Sequence, residues 1–472
     1  MNPRSSHCVL FVFLVGCSGG HTAGPSAISG AGRAGNEPQT AGTDAAPVGS
    51  TSAPDAAVPA AGTGTASAQA GTHAGTTAIA GQGGGAGAAG SSNAGHAAES
   101  GSGGGAGTGA GGQLAGAGSS AQVPTGAGPA ETRALGYGQA TTGGGDKAPA
   151  EAATLAALQA AIDAYSGTGG LVLRYTGKFN FASISDPCTQ HTLPAQLLQI
   201  KQKNDLTILG ADGSAANFGI HVAGSSSNII IRNLTFGLLP GGGDSDAISL
   251  EGMSSGFPNN IWIDHNELSS SLADCPGAGD TAFDGLIDLK KGADHVTISY
   301  NYLHDHQKAS LHGYSDDDDA ARHVTIHHNL FEKIGSRTPL QRHGYAHVLN
   351  NAFVGISTSG INVRMEGYAL IEANYFENVL NPVTSRDSAA IGYWDLRDNN
   401  LASAADVAPG NSFGITWDMG NSGTVNATDW TTTKAFPDAL GYTYTADSFA
   451  CVRDGLRAVV GPGKGLATLA CR

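Results

Sequence analysis

The residue types best able to do chemistry gather between positions 244 and 342. Asp244 and Asp246 precede a β-rich run, Ala247-Ile-Ser-Leu250. Side chains two apart on an extended chain share a face, so these two carboxylates project together. Asp284 and Asp288 follow within Asp284-Gly-Leu-Ile-Asp288-Leu-Lys290. On a straight strand they would stand about 13 Å apart, so one shared ion requires a bend near Gly285. Four carboxylates form a hard, all-oxygen set, suited to Ca2+ rather than to zinc or copper. A solvated acidic face is the alternative. Positive charge comes next, from Lys308, Arg337 and Arg342. Lys308 lies seven residues after Asn301 and Arg337 eight after Asn329, so equivalent asparagines would make the two cations near neighbours. Surface ion pairs are the ordinary fate of such residues; shared offsets favour a groove for an anionic ligand.

The elements that position these residues come from an internal repeat. A β-rich triplet or quartet, then Asn, then an apolar residue two further on recurs in Ile261-Trp-Ile-Asp-His-Asn266-Glu-Leu268, Val296-Thr-Ile-Ser-Tyr-Asn301-Tyr-Leu303 and Val324-Thr-Ile-His-His-Asn329-Leu-Phe331. It continues in His347-Val-Leu-Asn-Asn351-Ala-Phe353 and Leu370-Ile-Glu-Ala-Asn374-Tyr-Phe376, with a looser early copy around Asn233. Successive asparagines stand 33, 35, 28, 22 and 23 residues apart, the spacing of solenoid coils rather than of hairpins. Equivalent positions of stacked strands lie about 4.8 Å apart, so one Asn per coil can bond to the next as a ladder. Asn as a plain turn marker predicts the same corners. A solenoid needs its ends covered, and Leu155, Leu158 and Ile162 share one face of an expected N-terminal capping helix.

Composition divides the chain of 472 residues. From Ser18 to about Ala130 it is Gly, Ala, Ser and Thr with scattered Pro, too poor in large apolar groups to offset the entropy of ordering. Residues 18–130 are therefore expected to be a disordered tether, and 131–472 one domain. Ahead of the tether, Arg4 and the apolar run Val9 to Val15 are too short to span a bilayer. The ending Leu14-Val15-Gly16-Cys17 resembles a bacterial lipobox, which implies a signal over residues 1–17, lipidation of Cys17 and, with Ser18 following, outer-membrane or surface placement. An ordinary secretory signal with a chance Cys is the alternative. Cys188, Cys275, Cys451 and Cys471 remain for the exported domain. Of the three connectivities, the short separation of the last two favours Cys451–Cys471 with Cys188–Cys275. The net charge of −15 makes the protein a poor nonspecific binder of nucleic acid or anionic membrane, so a polyanionic ligand would need local cations.

Taken in order, these segments resemble polysaccharide lyase family 1, the pectate lyases. The matching stretches are Ile261-Trp-Ile-Asp-His265, Asp284 to Lys290, Val296 to Asn301, His328-Asn329, Arg337-Thr-Pro-Leu-Gln-Arg342, His347 to Asn351 and Asn381-Pro-Val-Thr-Ser-Arg386. The resemblance runs from about Ala134 to Cys471. It implies an all-β, right-handed parallel β-helix, a secreted monomer acting on polygalacturonate, and Ca2+ as cofactor. It further implies that Asp246, Asp284 and Asp288 are primary calcium ligands and that Asp244 is an additional one. By the same likeness Lys308 and Arg342 hold uronate carboxylates, Lys290 lines the groove, and Arg337 takes the proton from C5. Asp284 stands where relatives often carry Glu. Asp316 to Asp319 is expected to be an exposed acidic loop, and Trp262, His265, His328 and His347 to pack in or beside the coils.

Overall fold

Each coil contributes one short strand to each of three parallel sheets, so the chain climbs as a parallel β-helix. The computed structural model describes residues 127–241, 245–401, 430–437 and 439–471. Among these, the sheets hold eight, ten and seven strands, and neighbours in each sheet belong to successive coils. In one coil, Ile287–Lys290 joins the eight-stranded sheet, Asp294–Ser299 the ten-stranded and Tyr302–Lys308 the seven-stranded; Ser310–His312 then returns to the first. Register stacks like on like. Ile208, Ile231, Ile263, Ile298, Ile326, Val348 and Ile371 form one buried column. Each such side chain contributes about 1.5–3 kcal/mol by leaving water. Phe331, Phe353 and Phe376 stack in another column, with ring centroids 5.1 and 4.7 Å apart.

The asparagine ladder forms as expected. Nδ2 of Asn266 donates to Oδ1 of Asn301 at 3.0 Å, and the pattern repeats through Asn329, Asn351 and Asn374. It extends one coil further, to Asn399. Each Oδ1 also accepts the backbone N–H of the Asn before it, so the buried amides satisfy both themselves and the turning main chain. Asn233 is off the ladder by one position, where Leu234 N–H meets Asn266 Oδ1. The cause is the corner itself. The residue before each ladder position takes a left-handed φ: 50° at His265, 51° at Tyr300, 54° at His328, 54° at Asn350, 53° at Ala373 and 51° at Asp398. Asn233 occupies this bend at 59°, a conformation that Asn tolerates better than most residues.

The expected helix spans Leu155–Ala164 and buries Leu158 and Ile162 in the coil interior. Thr154 caps it, accepting from Ala157 N–H at 3.1 Å. Its Gln159 donates to and accepts from the backbone of Gln199 on Leu197–Lys201, the end strand of the eight-stranded sheet. Both expected disulfides are present, with Cα–Cα distances of 5.2 Å for Cys188–Cys275 and 5.7 Å for Cys451–Cys471. A described strand precedes Glu131. Ala127–Ala130 pairs antiparallel with Ala467–Leu469, a backbone interaction that needs no large side chains and so leaves no mark on composition. The signal, Cys17 and residues 18–126 of the tether lie outside the described residues.

Candidate active site

Asp246 lies two residues before the strand Ile248–Glu251, and Asp284 three before the next coil's strand, Ile287–Lys290. The main chain between Asp284 and Ile287 is not strand, and the bend expected near Gly285 falls at Leu286. Gly285 is the point on which the acids converge. Its N–H lies 3.0 Å from Oδ1 of Asp246 and 3.1 Å from Oδ1 of Asp284. A Cβ there would sit 2.4 Å from Oδ1 of Asp288 and 2.8 Å from Oδ1 of Asp246, so only glycine lets the carboxylates close in. The same Oδ1 of Asp288 accepts Leu311 N–H at 3.1 Å. Asp246 is fully buried and Asp288 almost so.

Crowding acids out of water has an electrostatic consequence. Burial, then the charge of Asp246, raises Asp284 to about 6. The same two causes, in the same order, push Asp288 well above the usual carboxylate range. Lys290 is in direct contact with this cluster, its Nζ 2.7 Å from Oδ2 of Asp246. Burial opposes its charge, but Asp246 and Asp288 outweigh that and raise its pKa. Three carboxylates against this ammonium leave an excess of negative charge on hard oxygen donors, which fits a divalent cation of the calcium type. Lys290 was expected in the groove; the structure sets it against Asp246, nearly buried. Asp244 lies outside the described residues.

The cations arrive from later coils. Lys308 pairs in register with Ser336, the residue before Arg337, so the two cations are neighbours to within one position. Both reach the acids electrostatically: Lys308 opposes the rise of Asp284, and Arg337 that of Asp288. Nζ of Lys308 is 3.4 Å from Oδ2 of Asp280. Arg337 has φ 64°, and its carbonyl accepts Ser310 N–H at 2.8 Å, which ties this strained corner to the strand Ser310–His312. Arg342 sits on the last strand residue of Leu340–Arg342, its Nε 2.8 Å from Oδ1 of Asp316 and its Nη1 2.9 Å from Gly313 O.

Sequence reasoning missed Gly285 as a steric requirement, Asp280 as a partner of Lys308 and Asp316 as a partner of Arg342. Only the Asp284–Asp288 separation hinted at the first. Trp262 is core, donating from Nε1 to Ser299 Oγ at 2.8 Å beneath the Arg232 guanidinium. His265, His328 and His347 are buried beside the coils. The acidic run departs from expectation: Asp317 and Asp319 are exposed, but Asp318 is buried and Asp316 half-buried. Two other groups bring three ligand atoms within 4.8 Å among the described residues, Asp294/His295/His323 and Glu131/Asp264/His265. The second already holds the Arg232 guanidinium on Asp264.

Known proteins give this geometry a context. The family profile described as pectate lyase matches residues 56–465. Pectate lyase B of Dickeya chrysanthemi is 44% identical over 312 residues, covering 64% of this chain and 80% of that protein. The structure of pectate lyase II from Xanthomonas campestris pv. campestris superposes with TM-score 0.66 at 56% identity, over 71% of this chain and 99% of that one. Pectate lyase C has been solved as a variant in complex with pentagalacturonic acid, with TM-score 0.63, 36% identity and coverage of 72% and 99%. It has also been solved, from Erwinia chrysanthemi, at pH 9.5 with 30 mM Ca2+, with TM-score 0.62, 36% identity and coverage of 74% and 100%. Fold, sequence and the convergence of acids and cations on one face agree, and the chain belongs to the pectate lyase family.

Proposed function

We propose that this enzyme cleaves polygalacturonate by calcium-dependent β-elimination, leaving a 4,5-unsaturated end. The observation that carries this reading is the convergence of Asp246, Asp284 and Asp288 on Gly285, with Lys308 and Arg337 within electrostatic reach. Those three acids would hold calcium, and Asp244, two residues before Asp246, would add a ligand. Calcium held there would supply positive charge that draws electron density from a nearby uronate carboxylate and makes the adjacent C5–H more acidic. Lys290 offsets the charge of Asp246 through their direct ion pair. Lys308 and Arg342 bind substrate carboxylates through charge-assisted hydrogen bonds. Arg337 takes the C5 proton, the C4–O bond breaks, and the leaving sugar carries away its electron pair.

Export follows from two disulfides in a chain with a signal-like start. We infer that Cys17 carries the lipid and that residues 18–126 hold the enzyme off the membrane.

The test is absorbance of unsaturated product from polygalacturonate with chelator, then with added calcium. Chelator abolishes turnover, calcium restores it, and highly methylated pectin is poor in both. New reducing ends without absorbance would indicate a hydrolase, binding without cleavage an adhesin, and chelator-resistant cleavage of methylated pectin a different lyase.

A further inference from the structure

The four consecutive aspartates, 316 to 319, alternate inward and outward, and the two that turn in are joined to Arg342, Asp316 directly and Asp318 through Arg322. Asp316 Oδ1 accepts from Arg342 Nε at 2.8 Å. Asp318 is buried; its Oδ2 accepts Lys291 N–H at 2.8 Å and Tyr314 N–H at 3.1 Å. Its Oδ1 meets Nη2 of Arg322 at 2.7 Å, and that guanidinium is itself wholly buried. Arg322 in turn donates from Nη1 to the backbone carbonyl of Arg342 at 2.6 Å. Gly313, at the start of the loop, gives its carbonyl to Nη1 of Arg342 at 2.9 Å. A Cβ on Gly313 would stand 2.9 Å from Cβ of Arg342 and 2.8 Å from Nη1 of Arg322, and its φ is 93°. His343 closes the other side, its Nε2 2.9 Å from Asp316 O.

We propose that this acidic loop is a clamp that presets Arg342 for a substrate carboxylate, with Asp316 as a positioning residue and Asp318 as the post on which the loop is fixed. The inference rests on the substrate-binding role assigned to Arg342 above. A guanidinium offers five N–H donors. Asp316 takes Nε and Gly313 takes one hydrogen of Nη1, and no other side-chain bond engages the rest among the described residues. The outer edge, the Nη2 pair with the second Nη1 hydrogen, is thus left in a fixed plane, the geometry that a carboxylate accepts two-pronged. Arg342 is ordered before substrate arrives, so binding does not have to order it. Asp318 holds the Lys291 main chain directly, next in sequence to Lys290, and the Arg342 main chain through Arg322. It thereby ties the carboxylate cluster to this cation.

The sign of one measurement separates the clamp from plain electrostatics. Asp316 is an anion beside a groove for a polyanion, so if charge alone mattered its removal would tighten binding. The clamp requires the reverse. Steady-state kinetics on polygalacturonate are to be compared for Asp316→Ala, Asp316→Asn, Asp317→Asn and Asp319→Asn. Asp316→Ala raises KM about five- to ten-fold, the worth of one charge-assisted hydrogen bond, with kcat within two-fold. Asp316→Asn keeps an acceptor for Nε and recovers most of the affinity. The outward Asp317→Asn and Asp319→Asn leave KM unchanged or lower it. In an Arg342→Ala background, Asp316→Ala has no further effect. An unchanged or lowered KM in folded Asp316→Ala, or the same rise in Asp317→Asn, overturns the clamp. If Arg342→Ala itself leaves KM unchanged, the binding role of Arg342 falls first, and the clamp with it.

Discussion

Replacing Gly285 by alanine tests the centre of the proposed site with one methyl group. The new Cβ would lie 2.4 Å from Oδ1 of Asp288 and 2.8 Å from Oδ1 of Asp246. Ordinary carbon–oxygen contact begins near 3.4 Å, so these oxygens must retreat by about 1 Å and 0.6 Å, or the backbone must move. Neither carboxylate has room, because Asp288 is held by Leu311 N–H and Asp246 by Lys290 as well as Gly285. Overpacking of this kind costs about 1–3 kcal/mol. If the strain falls on the ion-binding geometry, calcium affinity drops about five- to 150-fold, at 1.4 kcal/mol per factor of ten. The assay is the calcium concentration giving half-maximal formation of unsaturated product, with the melting temperature in chelator measured alongside. Melting reports strain felt by the metal-free protein, and the calcium titration reports the remainder. A Gly285→Ala enzyme with unchanged melting and unchanged calcium requirement would refute the convergence on Gly285 as the basis of the ion site.

Arg337→Lys keeps the charge but moves the acceptor, and turnover falls by about two orders of magnitude or more in a protein with normal melting; near-normal kcat would remove Arg337 as the base. Burial, reinforced by the charges of Lys308 and Arg337, lowers His306 to about 4, and burial lowers His312 to about 4. A histidine held neutral in the fold contributes its stability fully above the unfolded value near 6.5 and loses it as pH falls toward the folded value. Urea midpoints should therefore decline between about pH 6.5 and 4, and a flat profile there would contradict the burial of these rings. Deleting residues 18–126 leaves specific activity unchanged, whereas deleting through Ala130 lowers the melting temperature, because Ala467–Leu469 loses its strand partner; equal melting of the two truncations would deny that pairing a structural role.

The sequence by itself determined the coil. The Asn ladder, the buried isoleucine column and the left-handed corners arise from one local interaction repeated at each rung, so their period is visible in the residues from Asn266 to Asn374. The need for a bend near Gly285 was legible for a related reason: strand geometry fixes how far apart Asp284 and Asp288 can be. Tertiary structure alone decided what happens where the period breaks. Asn233 could pass for a ladder residue until register placed Leu234 opposite Asn266. Asp316 and Asp318 looked like members of an exposed run until the loop closed and turned them onto Arg342 and Arg322. Lys290, Asp280 and Ala127–Ala130 found partners 44, 28 and more than 300 residues away. Loop closure brings such groups together through contacts distant in sequence, and its cost depends only weakly on the number of residues between. No periodicity in the residues records where those ends meet, whereas the rungs repeat their instructions at every turn.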